Sequence, residues 1–133
     1  METYALPADA AASVSLMVSA ADTALAMHSG GLPVLATPRM IALMEEAAVA
    51  AVAPYLPPGV ETVGTRVDVR HLAATPIGGA VIATARLVEV DRRRLVFAVS
   101  ASDEAGEIGN GVHERHIVES GYFLSRAQGR RAR

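Results

Sequence analysis

At 133 residues, 51% of them hydrophobic and 20% charged, the chain has room for one core and no need of a second domain. The absence of cysteine removes disulfides, thiol catalysis and cysteine-ligated metals; it fits a reducing compartment, so a cytoplasmic location is expected. A net charge of −2 argues against nucleic acid as a partner, and no stretch reads as a signal peptide or a membrane span.

Residues 1–12 are alanine-rich and read as a flexible end. From Ser13 to Ala20, Val14, Leu16 and Val18 alternate with serines, the pattern of a half-buried strand. Residues 21–36 have no sustained period and contain HSGGLP, which reads as a loop or irregular lid.

Thr37 to Ala53 then reads as one helix, with Thr37 as its cap, Pro38 in its first turn and Pro54 as its stop. Between Met40 and Ala53 only Glu45 and Glu46 are charged, so the helix is expected to be wrapped on nearly all sides. At 100° per residue Arg39 and Glu46 share a narrow solvent stripe, whereas Glu45 falls among Ile41, Ala48 and Val52. A carboxylate so placed needs a partner, or serves where its desolvation is useful.

After the stiff PYLPPG turn, Thr62 to Leu72 alternates as a strand, with Val63, Thr65, Val67, Val69 and His71 on one face. TPIGG breaks the chain, and Ala80–Val90 and Leu95–Asp103 read as strands joined at Asp91–Arg94, with Leu95, Phe97, Val99 and Ala101 pointing inward. Glu107–Glu119 is a last long strand, interrupted by Gly109 and Gly111. From Tyr122 onward the chain carries Arg126, Arg130, Arg131 and Arg133 and no acid, a cationic tail whose residues 125–133 read as a second flexible end. This order implies an α+β fold, a single domain over residues 1–133 in which an antiparallel sheet of about five strands holds one long helix. A cystatin-like sheet shares the element order but would give its helix a broad polar face, which this helix lacks.

His71, in register with Val67 and Val69, should approach the buried helix that carries Glu45. A carboxylate beside an imidazole fixes the tautomer and favours the charged ring, as general bases and nucleophile activators require; a satisfied core histidine is the plainer alternative. Thr37 lies about 12 Å from Glu45 by helical rise, so the two would flank a pocket more readily than touch.

Three segments in order, VLATPRMIALMEEAAVAAVAPYL, ETVGTRVDVRHLAATPIGG and LVEVDRRRLVFAVSASDEAGEIGNGVHERHIV, resemble the fluoroacetyl-CoA thioesterase-like family of hot-dog proteins over about residues 34–119. The resemblance implies a hot-dog fold, a homodimer with active sites near the interface, and hydrolysis of acyl-CoA thioesters without a cofactor or metal. It makes Thr37, Glu45 and His71 the catalytic residues and puts Gly64 beside the substrate. In the fluoroacetyl-specific member phenylalanines ahead of the helix help recognise the substrate; residues 21–36 here contain none. The expected reaction is hydrolysis of a short-chain acyl-CoA, with a non-catalytic acyl-CoA-binding protein and a hot-dog dehydratase as alternatives.

The arginines at 92–94 and in the tail could meet CoA phosphates, with Arg126 the expected contact. His113, Glu114 and His116 resemble a metal motif, but in a strand His113 and His116 would face opposite sides. The GxG at Gly109 and Gly111 lacks a dinucleotide context and is expected to mark a bulge or a close backbone approach.

Overall fold

A computed structural model describes residues 4–131, so residues 1–3, 132 and 133, parts of the two expected flexible ends, lie outside the described residues. The elements are β1 (Ala11–Met17), α1 (Thr37–Val52), β2 (Val60–His71), β3 (Ala80–Asp91), β4 (Arg94–Asp103), β5 (Gly106–Glu119) and α2 (Ser120–Gly129). The strands form one antiparallel sheet in the order β1-β3-β4-β5-β2, and α1 packs on its inner face, the arrangement of a hot-dog fold.

β1 lies a few residues earlier than its alternation suggested. It ends at Met17 because Asp22 turns back on Ser19, taking hydrogen bonds from the Ser19 amide at 2.8 Å and hydroxyl at 2.9 Å. The inward residues of β4 are as expected: Leu95, Phe97, Val99 and Ala101 are all buried. They meet Met40, Leu43 and Met44 of α1, whose burial contributes about 1.5–3 kcal/mol per side chain. Gly109 and Gly111 mark the close approach anticipated for them. A Cβ on Gly109 would lie 2.7 Å from the Arg70 carbonyl oxygen and 2.7 Å from Met40 Sδ, and one on Gly111 would collide with Asp68 of β2.

Three expectations need correction. Thr37 is not the cap of α1: Ala36, in an extended conformation, holds that place, and its carbonyl accepts the Arg39 and Met40 amides at 3.0 Å each. Thr37 is the first helical residue, and its hydroxyl is free for other work. Nor is α1 wrapped on nearly all sides. It lies chiefly against β1 and β3, so Glu46 and Ala50 are exposed and Ile41, Ala42 and Val49 only half-buried. Finally, β2 does not alternate evenly, because a bulge between Gly64 and Arg66 inserts one residue. Val67 pairs with buried His113 and Gly64 with buried Arg115, so Gly64, Val67, Val69 and His71 face inward while Val63 turns out beside His116.

The tail expected to start at residue 125 begins inside α2, a helix with no buried residue that the cationic composition did not announce. Among the described residues no helix is long and apolar enough to cross a membrane.

Candidate active site

The start of α1 and the end of β2 bring Thr37 and His71 together. Thr37 Oγ1 lies 2.8 Å from His71 Nδ1, a hydrogen bond made possible by the shift of the cap to Ala36. His71 Nε2 is buried and has no hydrogen-bond partner among the described residues. Burial holds the His71 pKa below 6.5, while the approach of the Ala73 backbone, which falls short of a hydrogen bond, pulls the other way. The ring is therefore neutral at pH 7, able to take a proton from one side and present its second nitrogen on the other. The pair lines a cleft of about 290 Å³ whose other walls include Ala24, Ser29, Val34 and Leu35.

Those walls come from the irregular segment before α1, which is closed by bridges of Thr23 to Leu35 and Val34 to Pro76. Its base is tied to the helix by Arg39, whose Nε donates to Asp22 Oδ1 at 2.9 Å. Burial alone would raise the Asp22 pKa, but the Ser19 amide, Arg39 and the Ser19 hydroxyl together hold it below 3.8. Arg39, expected on a solvent stripe with Glu46, is thus half-buried and paired; Glu46 is exposed as expected.

Glu45 and Gly64 meet at a second point. A Cβ on Gly64 would lie 3.0 Å from Glu45 Oε2, 3.3 Å from Arg115 Nη1 and 3.3 Å from His113 Cε1. The misplaced carboxylate has its partner in Arg115, with Oε2 3.7 Å from Nη1, and remains 42% exposed within the chain. No hydrogen bond or ion pair among the described residues joins Glu45 to His71, so the contact expected between them is not made within one chain.

Arg115 and His113 escaped the sequence reading as part of this site. Arg115 donates through Nε to Thr62 Oγ1 and through Nη2 to the Thr62 carbonyl, both at 2.9 Å, and through Nη1 to His113 Nε2 at 3.0 Å. His113 Nδ1 lies 2.8 Å from the Arg66 carbonyl oxygen. A carbonyl can only accept and a guanidinium only donate, so Nδ1 carries the proton, Nε2 accepts, and the ring is neutral. Burial lowers the His113 pKa; the Arg66 carbonyl opposes this, Arg115 reinforces it and Glu45 opposes it. Burial also lowers the pKa of Arg115, with Glu45 pulling the other way. A signal was present: alternation through His113, Arg115 and Ile117 puts an arginine on a buried face, and Glu45 is the unpaired carboxylate opposite it.

His116 is exposed and points away from His113, as alternation required. Arg126 is in neither group. It sits on α2, its Nη1 3.3 Å from the Tyr122 hydroxyl and its guanidinium carbon 5.8 Å from the centre of that ring.

Comparison with known proteins gives a consistent result. The family profile for fluoroacetyl-CoA-specific thioesterase matches residues 18–121. A fluoroacetyl-CoA thioesterase of Streptantibioticus cattleyicolor is 47% identical over 95 residues, covering 71% of this chain and 68% of that one. A crystal structure of a fluoroacetyl-CoA thioesterase superposes with a TM-score of 0.88 at 37% identity, covering 94% of this chain and 97% of that one. A thioesterase superfamily member from Thermus thermophilus superposes with a TM-score of 0.85 at 30% identity over 96% of each chain.

Proposed function

The chain belongs to the fluoroacetyl-CoA-specific thioesterase family, and on that premise we propose that it hydrolyses a short-chain acyl-CoA to the free acid and CoA. The observation that carries the reading is the Thr37–His71 hydrogen bond of 2.8 Å at the mouth of a small cleft, beside a buried imidazole nitrogen with no partner among the described residues. The neutral ring accepts the proton of the attacking oxygen as the C–O bond forms, and returns it to the departing sulfur as the C–S bond breaks. Glu45, held by Arg115, supplies the negative charge that stabilises the ring once protonated. The backbone at Gly64, which carries no side chain of its own, faces the developing oxyanion.

For Glu45 to act on His71, the two groups must meet across two chains, and the fold offers a route. β2 is an edge strand that carries Gly64 near one end and His71 at the other. Antiparallel pairing of β2 with its copy about a two-fold axis near Asp68 sets Val67 against the partner's Val69, inward face against inward face. The bulge at Thr65 then brings the Gly64 end against the partner's His71. Each Thr37–His71 pair thereby faces the other chain's Glu45–Gly64–Arg115 group, and the half-exposed Val49, Ala42 and Ala50 flank of α1 lies on the side a partner would cover. We assign the functional unit as this homodimer.

Apart from Thr37, His71 and Ser29 the cleft walls are small and aliphatic, with no phenylalanine, tyrosine or tryptophan to fit a single substituent, which favours a short unbranched acyl group over strict selection for fluoroacetyl. The test is release of free thiol from acetyl-, fluoroacetyl-, propionyl- and butyryl-CoA by the purified protein. Turnover of at least one of them is expected; no turnover of any short acyl-CoA overturns the reading.

A further inference from the structure

A second and larger cavity, about 760 Å³, opens between α2 and the outer face of β5, on the opposite side of the sheet from the Thr37–His71 cleft. Arg93 reaches it from the turn between β3 and β4, Arg126 from α2, and Arg130 from the cap just beyond the end of that helix, four residues on. The aromatic rings of Tyr122 and Phe123, 65% and 41% exposed, form part of its wall. Against three guanidinium groups stands one carboxylate, that of Glu119.

Arg39, Arg66, Arg86, Arg94 and Arg115 each have a carboxylate partner; Arg93, Arg126 and Arg130 are among the six described arginines, with Arg70, Arg92 and Arg131, that have none, and these three converge on one cavity. Arg93 Nε is buried and makes no hydrogen bond among the described residues, none of which offsets its desolvation. Arg126 is already oriented by Tyr122. Planar guanidinium forks match phosphate oxygens two at a time, and an exposed aromatic ring offers a stacking face to any base. The volume lies within the range of small-molecule sites and is larger than an isolated phosphate needs.

We propose that this cavity binds a phosphorylated nucleotide, with Arg93, Arg126 and Arg130 on its phosphates and the Tyr122–Phe123 wall against its base. The hydrolase reading supplies one source, the 3′-phosphoadenosine diphosphate end of the acyl-CoA; a free nucleotide is the other. In the first case the site sets affinity for the CoA handle and leaves the acyl chemistry alone.

The experiment is calorimetric titration of the full-length protein with adenosine 3′,5′-bisphosphate and with ATP, at low and high salt. Saturable binding is expected, weakened by salt and weakened roughly tenfold or more in Arg93→Ala/Arg126→Ala. Arg126→Lys, which keeps the charge without the fork, is expected to fall between. KM for acetyl-CoA and acetyl-pantetheine then separates the sources. A rise for acetyl-CoA alone in the double variant marks the substrate's own nucleotide, and lost nucleotide binding with both KM values unchanged marks a free one. No saturable binding of either nucleotide, or binding indifferent to the double substitution, overturns the proposal. Nucleotide binding by a protein that cleaves no thioester would sink the hydrolase reading and leave this site standing.

Discussion

Gly64→Ala adds one methyl group at the proposed oxyanion site, where Glu45, Arg115 and His113 converge, and leaves all three side chains present. The backbone at Gly64 is one that alanine adopts, so the effect comes from the added methyl group, 3.0 Å from Glu45 Oε2 and 3.3 Å from both Arg115 Nη1 and His113 Cε1. Arg115 and His113 are buried and pinned by Thr62 and the Arg66 carbonyl, whereas Glu45 is 42% exposed with its one partner at 3.7 Å. Glu45 is therefore the group that yields. The stability cost should stay near the low end of the roughly 1–3 kcal/mol typical of overpacking, a fall in Tm of about 4 °C. Displacement of a positioned carboxylate by a few tenths of an ångström up to an ångström should cost on the order of 10²-fold in kcat. Thiol release from acetyl-CoA measures the second effect and thermal unfolding the first. A folded variant with normal kcat would show that the place of Glu45 is immaterial, and collapse of Tm and kcat together would show that Gly64 serves the fold.

His71→Ala and Thr37→Ala should each lower kcat by on the order of 10² to 10⁴, with Thr37→Ser milder because it keeps the hydroxyl; near-normal turnover in a folded His71→Ala protein would remove His71 from the reaction. Inactive Thr37→Ala and Glu45→Gln chains, mixed and allowed to exchange, should recover about a quarter of wild-type activity, since half of the dimers are mixed and each carries one intact site; no recovery would refute the shared site. Asp22, held below 3.8 when folded, contributes stability that is complete above pH 3.8, its unfolded value, and lost as pH falls through its lowered folded value. Asp22→Asn should therefore cost about 1–3 kcal/mol at pH 7 and flatten the acid side of the stability curve, and an unchanged acid midpoint in denaturant titrations would contradict this. With no phenylalanine, tyrosine or tryptophan in the cleft wall, kcat/KM for fluoroacetyl-CoA and acetyl-CoA should differ by under about 200-fold, and a several-thousand-fold preference would place selectivity in Thr37, Glu45 and His71 themselves.

Periodicity revealed the sheet, the long helix and the inward face of β4, because each rests on a two- or four-residue repeat set by burial. It failed where a single residue breaks the repeat. The bulge at Thr65 reverses the face of everything before it, so Val63 and Gly64 exchange sides although the residues around them alternate well. Thr37 looked like a cap because threonine followed by proline usually is one; only the extended backbone of Ala36 shows that the helix begins a residue earlier. α2 was invisible because its ten residues bury nothing, which leaves no hydrophobic period to read.

The expected contact between Glu45 and His71 is instructive because only part of its premise held: α1 is not wrapped on nearly all sides, and Glu45 is 42% exposed. Both residues do face the space between the sheet and α1, but the first sits near Gly64 and the second at the far end of the same strand. Inward-facing residues in one chain can be a strand's length apart. β2 is an edge strand, and in the proposed homodimer two-fold pairing would reverse its partner and set one end beside the other. Glu45 then has two reasons to be where sequence makes it look misplaced: Arg115 offsets its charge within the chain, and its open side, 42% exposed, is what it would present to the imidazole of the next. The same arrangement explains why the helix is apolar beyond what its own sheet covers. In the proposed homodimer the exposed Ala50 and the half-buried Ala42 and Val49 would be covered by the partner chain.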